Sequence, residues 1–287
     1  SSMKLNEVRQ KLAKLFNIKD PQRIAFTLNA THALNIAVNL CYGQIVTTAM
    51  EHNSVLRPAV TRGYYHINAA DSRGGLDYDQ IKRSITELTG AVIMTHASNV
   101  TGEVYDIAQI GEYCRKKGVL FIVDCAQSAG VIPIDVESMH IDVLCFTGHK
   151  GLFGIQGTGG IYIAENVRIR PYMSGGTGSY SFLLKQPTVM PDCFEAGTVN
   201  THGIAALGAG IDYINGIGIG KIQEVHTELW RYFITSARKI NGITVYGQED
   251  PGPKMINTGV VSLNVKGYEP GEVSMRLGKE GICTRAG

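Results

Sequence analysis

Short apolar, β-rich runs alternate with amphipathic helical stretches through the first two-thirds of the 287-residue chain, and this alternation restricts the fold more than any other feature. The β-rich runs are RIAFTL (23–28), QIVTT (44–48), YYHINA (64–69), AVIMTHA (91–97), VLFIVD (119–124), DVLCFT (142–147) and GGIYIA (159–164). Helical spacing fills 33–40, 54–62, 78–88 and 106–117 between them. Strands separated by helices predict βαβ units, and the nearly unbroken apolar character of AVIMTHA and VLFIVD suits strands covered on both faces. The expectation is an α/β fold with a doubly wound, mostly parallel sheet.

Ahead of it, Leu5, Val8, Leu12 and Leu15 recur at helical spacing and stop before Asp20-Pro21. From Gly203 the pattern becomes α+β: a helix over 203–213, a glycine-broken joint (NGIGIG), a second helix over 221–239, then ITVYG, VVSLNV, a helical turn over 270–279 and GICTRAG. We divide the chain into a large domain, 1–214, and a smaller α+β domain, 215–287.

Composition removes several function classes. With 27 basic and 25 acidic residues the net charge is +2, which lacks the basic footprint of a nucleic-acid binder. No apolar run reaches the roughly 18 residues that cross a bilayer. The amino terminus is an amphipathic helix without a signal-peptide core, so the expected location is the cytoplasm, with reduced thiols. The six cysteines form no C-x-x-C pair, so neither a disulfide framework nor a metal site is expected.

Ligands of open α/β sheets bind beyond the carboxyl ends of the strands, so the polar residues there come first. After 23–28 the chain reads NATHALNIAV, which sets the amides of Thr31 and His32 at a helix start suited to an anion; Asn29 or Thr31 capping that helix explains the same pattern. Glu51-His52-Asn53 ends the second run, and His96 with Asn99 ends the fourth; such residues are also ordinary turn and cap formers. Asp124 ends a fully apolar strand, with Gln127 three residues on. A carboxylate there needs a cationic or N–H partner, either a salt bridge or a ligand cation. Lys150 follows His149 in the glycine-rich loop of TGHKGLFGIQGTGG, between two strands. Neither the phosphate loop G-x-x-x-x-G-K-[ST] nor the dinucleotide fingerprint G-x-G-x-x-G is present. A constrained lysine, a buried aspartate and a helix-end anion site together meet the requirements of pyridoxal 5'-phosphate: a Schiff-base amine, a partner for the pyridine nitrogen and a phosphate cradle.

The segments NATHALNIAV, EHNSVLRP, THASNVTG, VDCAQSAG, TGHKG, GGTGS, FEAGTVNT and GICTRAG occur in the order and spacing of one family. Through them the chain resembles, over nearly its whole length, the class V aminotransferase superfamily of fold-type I pyridoxal phosphate enzymes, in its cysteine desulfurase and selenocysteine lyase branch. The resemblance implies that Lys150 forms the Schiff base and that His52 stacks on the cofactor ring. It makes Asp124 the partner of the ring nitrogen and sets Gln127 and Asn99 near the ring hydroxyl. The amides of Thr31 and His32, with the side chains of Thr147 and His149, would hold the phosphate. Thr198 would reach the phosphate of a neighbouring subunit, implying a homodimer, and Arg285 would lie near the substrate.

The implied activity converts L-cysteine to L-alanine, with sulfur passed to an enzyme cysteine as persulfide and then to an acceptor protein. L-selenocysteine cleavage, transamination, and a cofactor-binding protein without turnover are the alternatives. The family's sulfur-accepting cysteine follows R-A-G, so it is expected outside this sequence, with the small domain incomplete. Cys283 is the nearest cysteine and, placed in a strand before Arg285, is expected to be structural.

Overall fold

The computed structural model describes residues 2–180, 182–247, 252 and 255–287; Ser181 of the segment GGTGSYSFLLKQP lies outside them. Helix α1 (Ser2–Phe16) buries Val8, Leu12 and Phe16 along the stripe its spacing predicts. Seven strands follow: β1 (Ile24–Thr27), β2 (Gln44–Thr48), β3 (Tyr65–Asn68), β4 (Thr89–Thr95), β5 (Leu120–Asp124), β6 (Val143–Thr147) and β7 (Gly159–Ile163). They form one sheet in the order β1-β7-β6-β5-β4-β2-β3. Neighbours from β3 through β6 pair in parallel, and β7 runs antiparallel to both β6 and β1. The expected mostly parallel sheet is therefore present.

Helices cover both faces. Against one lie α2 (Ala30–Leu40) and α3 (Asn53–Arg62), enclosing Ile93, Ile122, Cys145 and Ile161. Against the other lie α1, α4 (Tyr78–Ser84), α5 (Ile107–Lys117) and α6 (Thr201–Ile217), enclosing Phe121, Val123, Leu144 and Phe146. Adjacent residues of β5 thus enter different cores, which is why the sequence shows an unbroken apolar run and no alternation. A Cβ on Gly208 would stand 2.7 Å from Val8 Cγ2, so this glycine is what allows α1 to lie close against α6.

The joint after α6 is one residue, Gly218 (φ 89°), and α7 (Ile219–Ala237) begins directly after it. The division placed at residue 215 falls in the last turn of α6. Beyond α7, β8 (Ile243–Val245) pairs antiparallel with β9 (Leu263–Val265), and α8 (Pro270–Lys279) follows. Two local expectations are corrected. The helix over 78–88 ends at Ser84, because Thr86 N–H bonds Thr89 Oγ1 at 2.9 Å and turns the chain into β4. Gly281–Gly287 form no strand and are exposed, so Cys283 has no packing role. Among the described residues no helix is long and apolar enough to cross a membrane.

One buried ion pair closes the edge of the sheet. Arg9 Nη2 lies 2.7 and 2.6 Å from the two carboxylate oxygens of Glu195, Arg9 Nε donates to Ile24 O, and Glu195 Oε1 accepts the Phe26 N–H of edge strand β1 at 2.7 Å. Removing one partner of such a pair leaves an uncompensated buried charge. Arg9→Met is expected to lower the unfolding free energy by about 3–5 kcal/mol in urea titration; a loss below about 1 kcal/mol would show that the pair contributes no anchoring.

Candidate active site

Strand register brings the chemistry together. Thr95 at the end of β4 is the partner of Asp124 at the end of β5, and Asp124 is the partner of Cys145, two residues before Thr147 ends β6. Beyond these ends opens a cavity of about 260 Å³, lined by Thr31, His52, Asn99, Asp124, Gln127, Thr147, His149 and Lys150. Two larger hollows are found among the described residues. One, about 550 Å³, lies at the opposite ends of the strands around Gly90, Leu120 and Asp142, and contains no lysine. The other, about 740 Å³, adjoins the site and shares Thr31, His52 and Ser54 with it.

Asp124 forms the floor at 4% exposure, and its Oδ1 accepts the Ala126 N–H at 2.9 Å. Burial pushes its carboxyl above the usual range, while Lys150 and His52 pull it back. Loss of water lowers the Lys150 amine, against the attraction of Asp124. Burial therefore works against the charged form of each group, and each group's charge partly offsets that for the other. The lysine's backbone is fixed by Phe153 N–H to Lys150 O and Gly154 N–H to Gly148 O, so the amine moves on its side chain and not with the loop.

His52 caps α3, its Nδ1 accepting the Ser54 N–H at 3.1 Å. A neutral His52 ring thus carries its proton on Nε2. Thr147 Oγ1 lies 2.9 Å from His149 Nδ1, pairing the hydroxyl and the imidazole at the end of β6. His96 lies below the cavity with Nδ1 2.9 Å from Ser128 Oγ; burial pushes it down to about 4, which makes it a neutral core residue.

Three nominated residues lie outside the cavity lining. The His32 N–H is taken by Asn29 Oδ1 at 3.0 Å, so Asn29 is the helix cap and that amide is already engaged. Thr198 and Arg285 are exposed. The cavity also contains residues that sequence reasoning passed over, chiefly Ser54 and Thr95. A serine two places after a histidine at a helix start was a usable signal for Ser54; nothing in the sequence distinguishes Thr95. Among the described residues no group of three or more His, Cys, Asp and Glu side chains is placed to hold a metal ion.

The geometry is that of an amine and a carboxylate facing one cavity beside the start of α2, and the comparisons agree with it. The chain matches the family "Aminotransferase class-V" over residues 1–287 and belongs to it. It is 35% identical to a "Probable cysteine desulfurase" of Methanothermobacter thermautotrophicus, covering 100% of this chain and 74% of the relative. It is 30% identical to a "Cysteine desulfurase" of Cronobacter sakazakii, with 100% and 73% covered. A solved cysteine desulfurase of Thermococcus onnurineus superposes with a TM-score of 0.88 at 32% identity, over 99% of this chain and 73% of that one.

Glu51 adds an ionisable group behind the site. It is 6% exposed, Oε1 accepts the Thr48 hydroxyl at 2.7 Å, Oε2 has no hydrogen-bond partner among the described residues, and burial, reinforced by Asp124, pushes it up to about 8. Its folded value lies above the unfolded 4.5, so its contribution is complete below 4.5 and is lost as pH rises toward 8. His96 acts in the opposite sense only below its unfolded 6.5, which leaves pH 6.5 to 8 as the clean window. Wild type is expected to lose about 1–2 kcal/mol more than Glu51→Gln across that window in urea titrations. Parallel pH profiles would contradict a protonated Glu51.

Proposed function

We propose that this cavity holds pyridoxal 5'-phosphate and that the chain acts as a cysteine desulfurase, converting L-cysteine to L-alanine while the sulfur passes to a cysteine thiol as a persulfide. One observation carries the reading: the Lys150 amine and the Asp124 carboxylate, both shifted toward neutrality by burial, line one cavity with the first turn of α2. The residues fit the cofactor. A buried carboxylate whose Oδ1 takes one N–H calls for a cation, and a protonated pyridine nitrogen is a cation of suitable shape. The start of α2, with the Thr147 hydroxyl and His149 imidazole on the same cavity, suits a phosphate.

When bound, the cofactor supplies an electron sink for the pair left at the substrate Cα. The other tasks fall to side chains. Lys150 Nζ would hold the cofactor and, once the substrate amine has displaced it, would take up the Cα proton as a free amine. Asp124 keeps the proton on the ring nitrogen. His52 offers Nε2–H over the cavity, held in that tautomer by the Ser54 amide. Gln127 and Asn99 line the wall and offer amide donors to the ring oxygen. No cysteine lines the cavity, and five of the six are buried, so the accepting thiol is not one of its walls.

The same reading takes residues 1–214 as the cofactor-binding unit and 215–287 as part of a smaller domain. Its active form is a homodimer in which exposed Thr198 reaches the neighbouring phosphate, and Arg285 lies near the substrate. Buried, unpaired thiols suit the cytoplasm, where a sulfur-acceptor protein would receive the persulfide.

The test is an absorbance spectrum of cofactor-loaded protein before and after L-cysteine, with alanine and sulfide assayed. Wild type is expected to show the visible band of lysine-linked cofactor and to form alanine. Lys150→Ala is expected to lose the band and at least ~10³-fold in activity. A retained band would refute the lysine assignment. Selenide from L-selenocysteine alone would make the protein a lyase for that substrate, a 2-oxo acid product would make it a transaminase, and binding without product would make it an inactive binder.

A further inference from the structure

Two helix starts meet at one side of the cavity, and a single hydroxyl joins them. Ser54, 8% exposed in the first turn of α3, places Oγ 2.7 Å from Thr31 Oγ1 in the first turn of α2. The same Oγ lies 2.9 Å from Nδ1 of His52, which also accepts the Ser54 N–H. All three residues line the cavity.

Hydrogen counting gives this cluster two arrangements. A serine hydroxyl has one hydrogen and here two acceptors. Pointed at Nδ1, it leaves Thr31 to donate to Ser54, so Thr31 turns only lone pairs toward the cavity. Pointed at Thr31, it frees the Thr31 hydrogen to donate outward, and the Ser54 N–H alone satisfies Nδ1. An anion at the start of α2 is attracted by the helix dipole and gains a charge-assisted bond only in the second arrangement.

We propose that Ser54 is a positioning residue that turns the Thr31 hydroxyl hydrogen toward the phosphate of the bound cofactor, linking the His52 side of the site to its phosphate side. This role rests on the cofactor reading above. Neither Thr31 nor His52 supplies the link alone, because they belong to different helices and Ser54 Oγ is the atom within hydrogen-bonding distance of both.

The experiment titrates cofactor-free protein with pyridoxal 5'-phosphate and, separately, with pyridoxal, which lacks the phosphate. Ser54→Ala leaves the Thr31 hydroxyl its hydrogen but removes the donor that orients it, so it is expected to weaken pyridoxal 5'-phosphate about fivefold, the scale of one neutral hydrogen bond, and to leave pyridoxal within about twofold. The Ser54→Ala/Thr31→Val double variant is expected to bind no more weakly than Thr31→Val, since both act through one hydrogen. Ser54→Thr, which keeps a hydroxyl, should restore wild-type preference for the phosphorylated form. Should Ser54→Ala not fold, Ser54→Cys, with its weak donor, carries the same expectation. Equal weakening of both ligands, or additive losses in the double variant, would overturn the Ser54 role while leaving the cofactor reading intact. A wild type that binds neither ligand would overturn the cofactor reading itself.

Discussion

A carboxylate stands at the end of a strand whose other residues are apolar and enclosed, and the arrangement of the site follows from that. Asp124 has almost no contact with water and draws only one backbone N–H to Oδ1. Burial drives it toward the neutral acid; the nearby Lys150 and His52 are the charges that oppose this. Such a group is costly in a fold that does no chemistry. It becomes favourable once a cation is delivered to it, and a protonated pyridine ring fixed by its phosphate at a helix start delivers one.

The scaffold makes that placement rigid. Parallel pairing of β4, β5 and β6 brings Thr95, Asp124 and Thr147 to one level, and the two cores that clasp the sheet hold β5 from both faces. α2 and α3 then direct their positive ends at the cavity, where Thr31, Ser54 and His52 are stitched together by hydrogen bonds. At the far edge, the Arg9–Glu195 pair fastens β1 and the segment leading to Thr198 onto α1. In the interior Arg9 and Glu195 are paired with each other, and Asp124 stands where a ligand cation is called for. Glu51 lies between these cases, satisfied on one oxygen by Thr48 and held as an acid beside Asp124.

Much of this was readable from local pattern. Apolar runs marked the strands of the sheet, and the polar residues at and after their ends pointed to His52, Asp124 and Lys150, because the C-terminal ends of parallel strands lie together; Thr147 came only through the family resemblance. The pattern was silent where contacts join distant segments. The Ser54–Thr31 bond spans 23 positions and two helices. The engagement of the His32 amide depends on the rotamer of Asn29, which chose the capping explanation over the anion explanation for that N–H. GICTRAG looks like a strand in composition, but with no strand paired to it among the described residues the segment stays irregular, and Cys283 is exposed in place of being packed.

The central claim is that Asp124 is ionised in the loaded protein because it holds a protonated ring nitrogen. The most direct measurement is the ¹⁵N chemical shift of ring-labelled pyridoxal 5'-phosphate bound to the wild type and to Asp124→Asn, recorded between pH 6 and 9. The account requires a pyridinium shift in the wild type across that range and a neutral-pyridine shift in the variant. A neutral ring nitrogen in the wild type would contradict it.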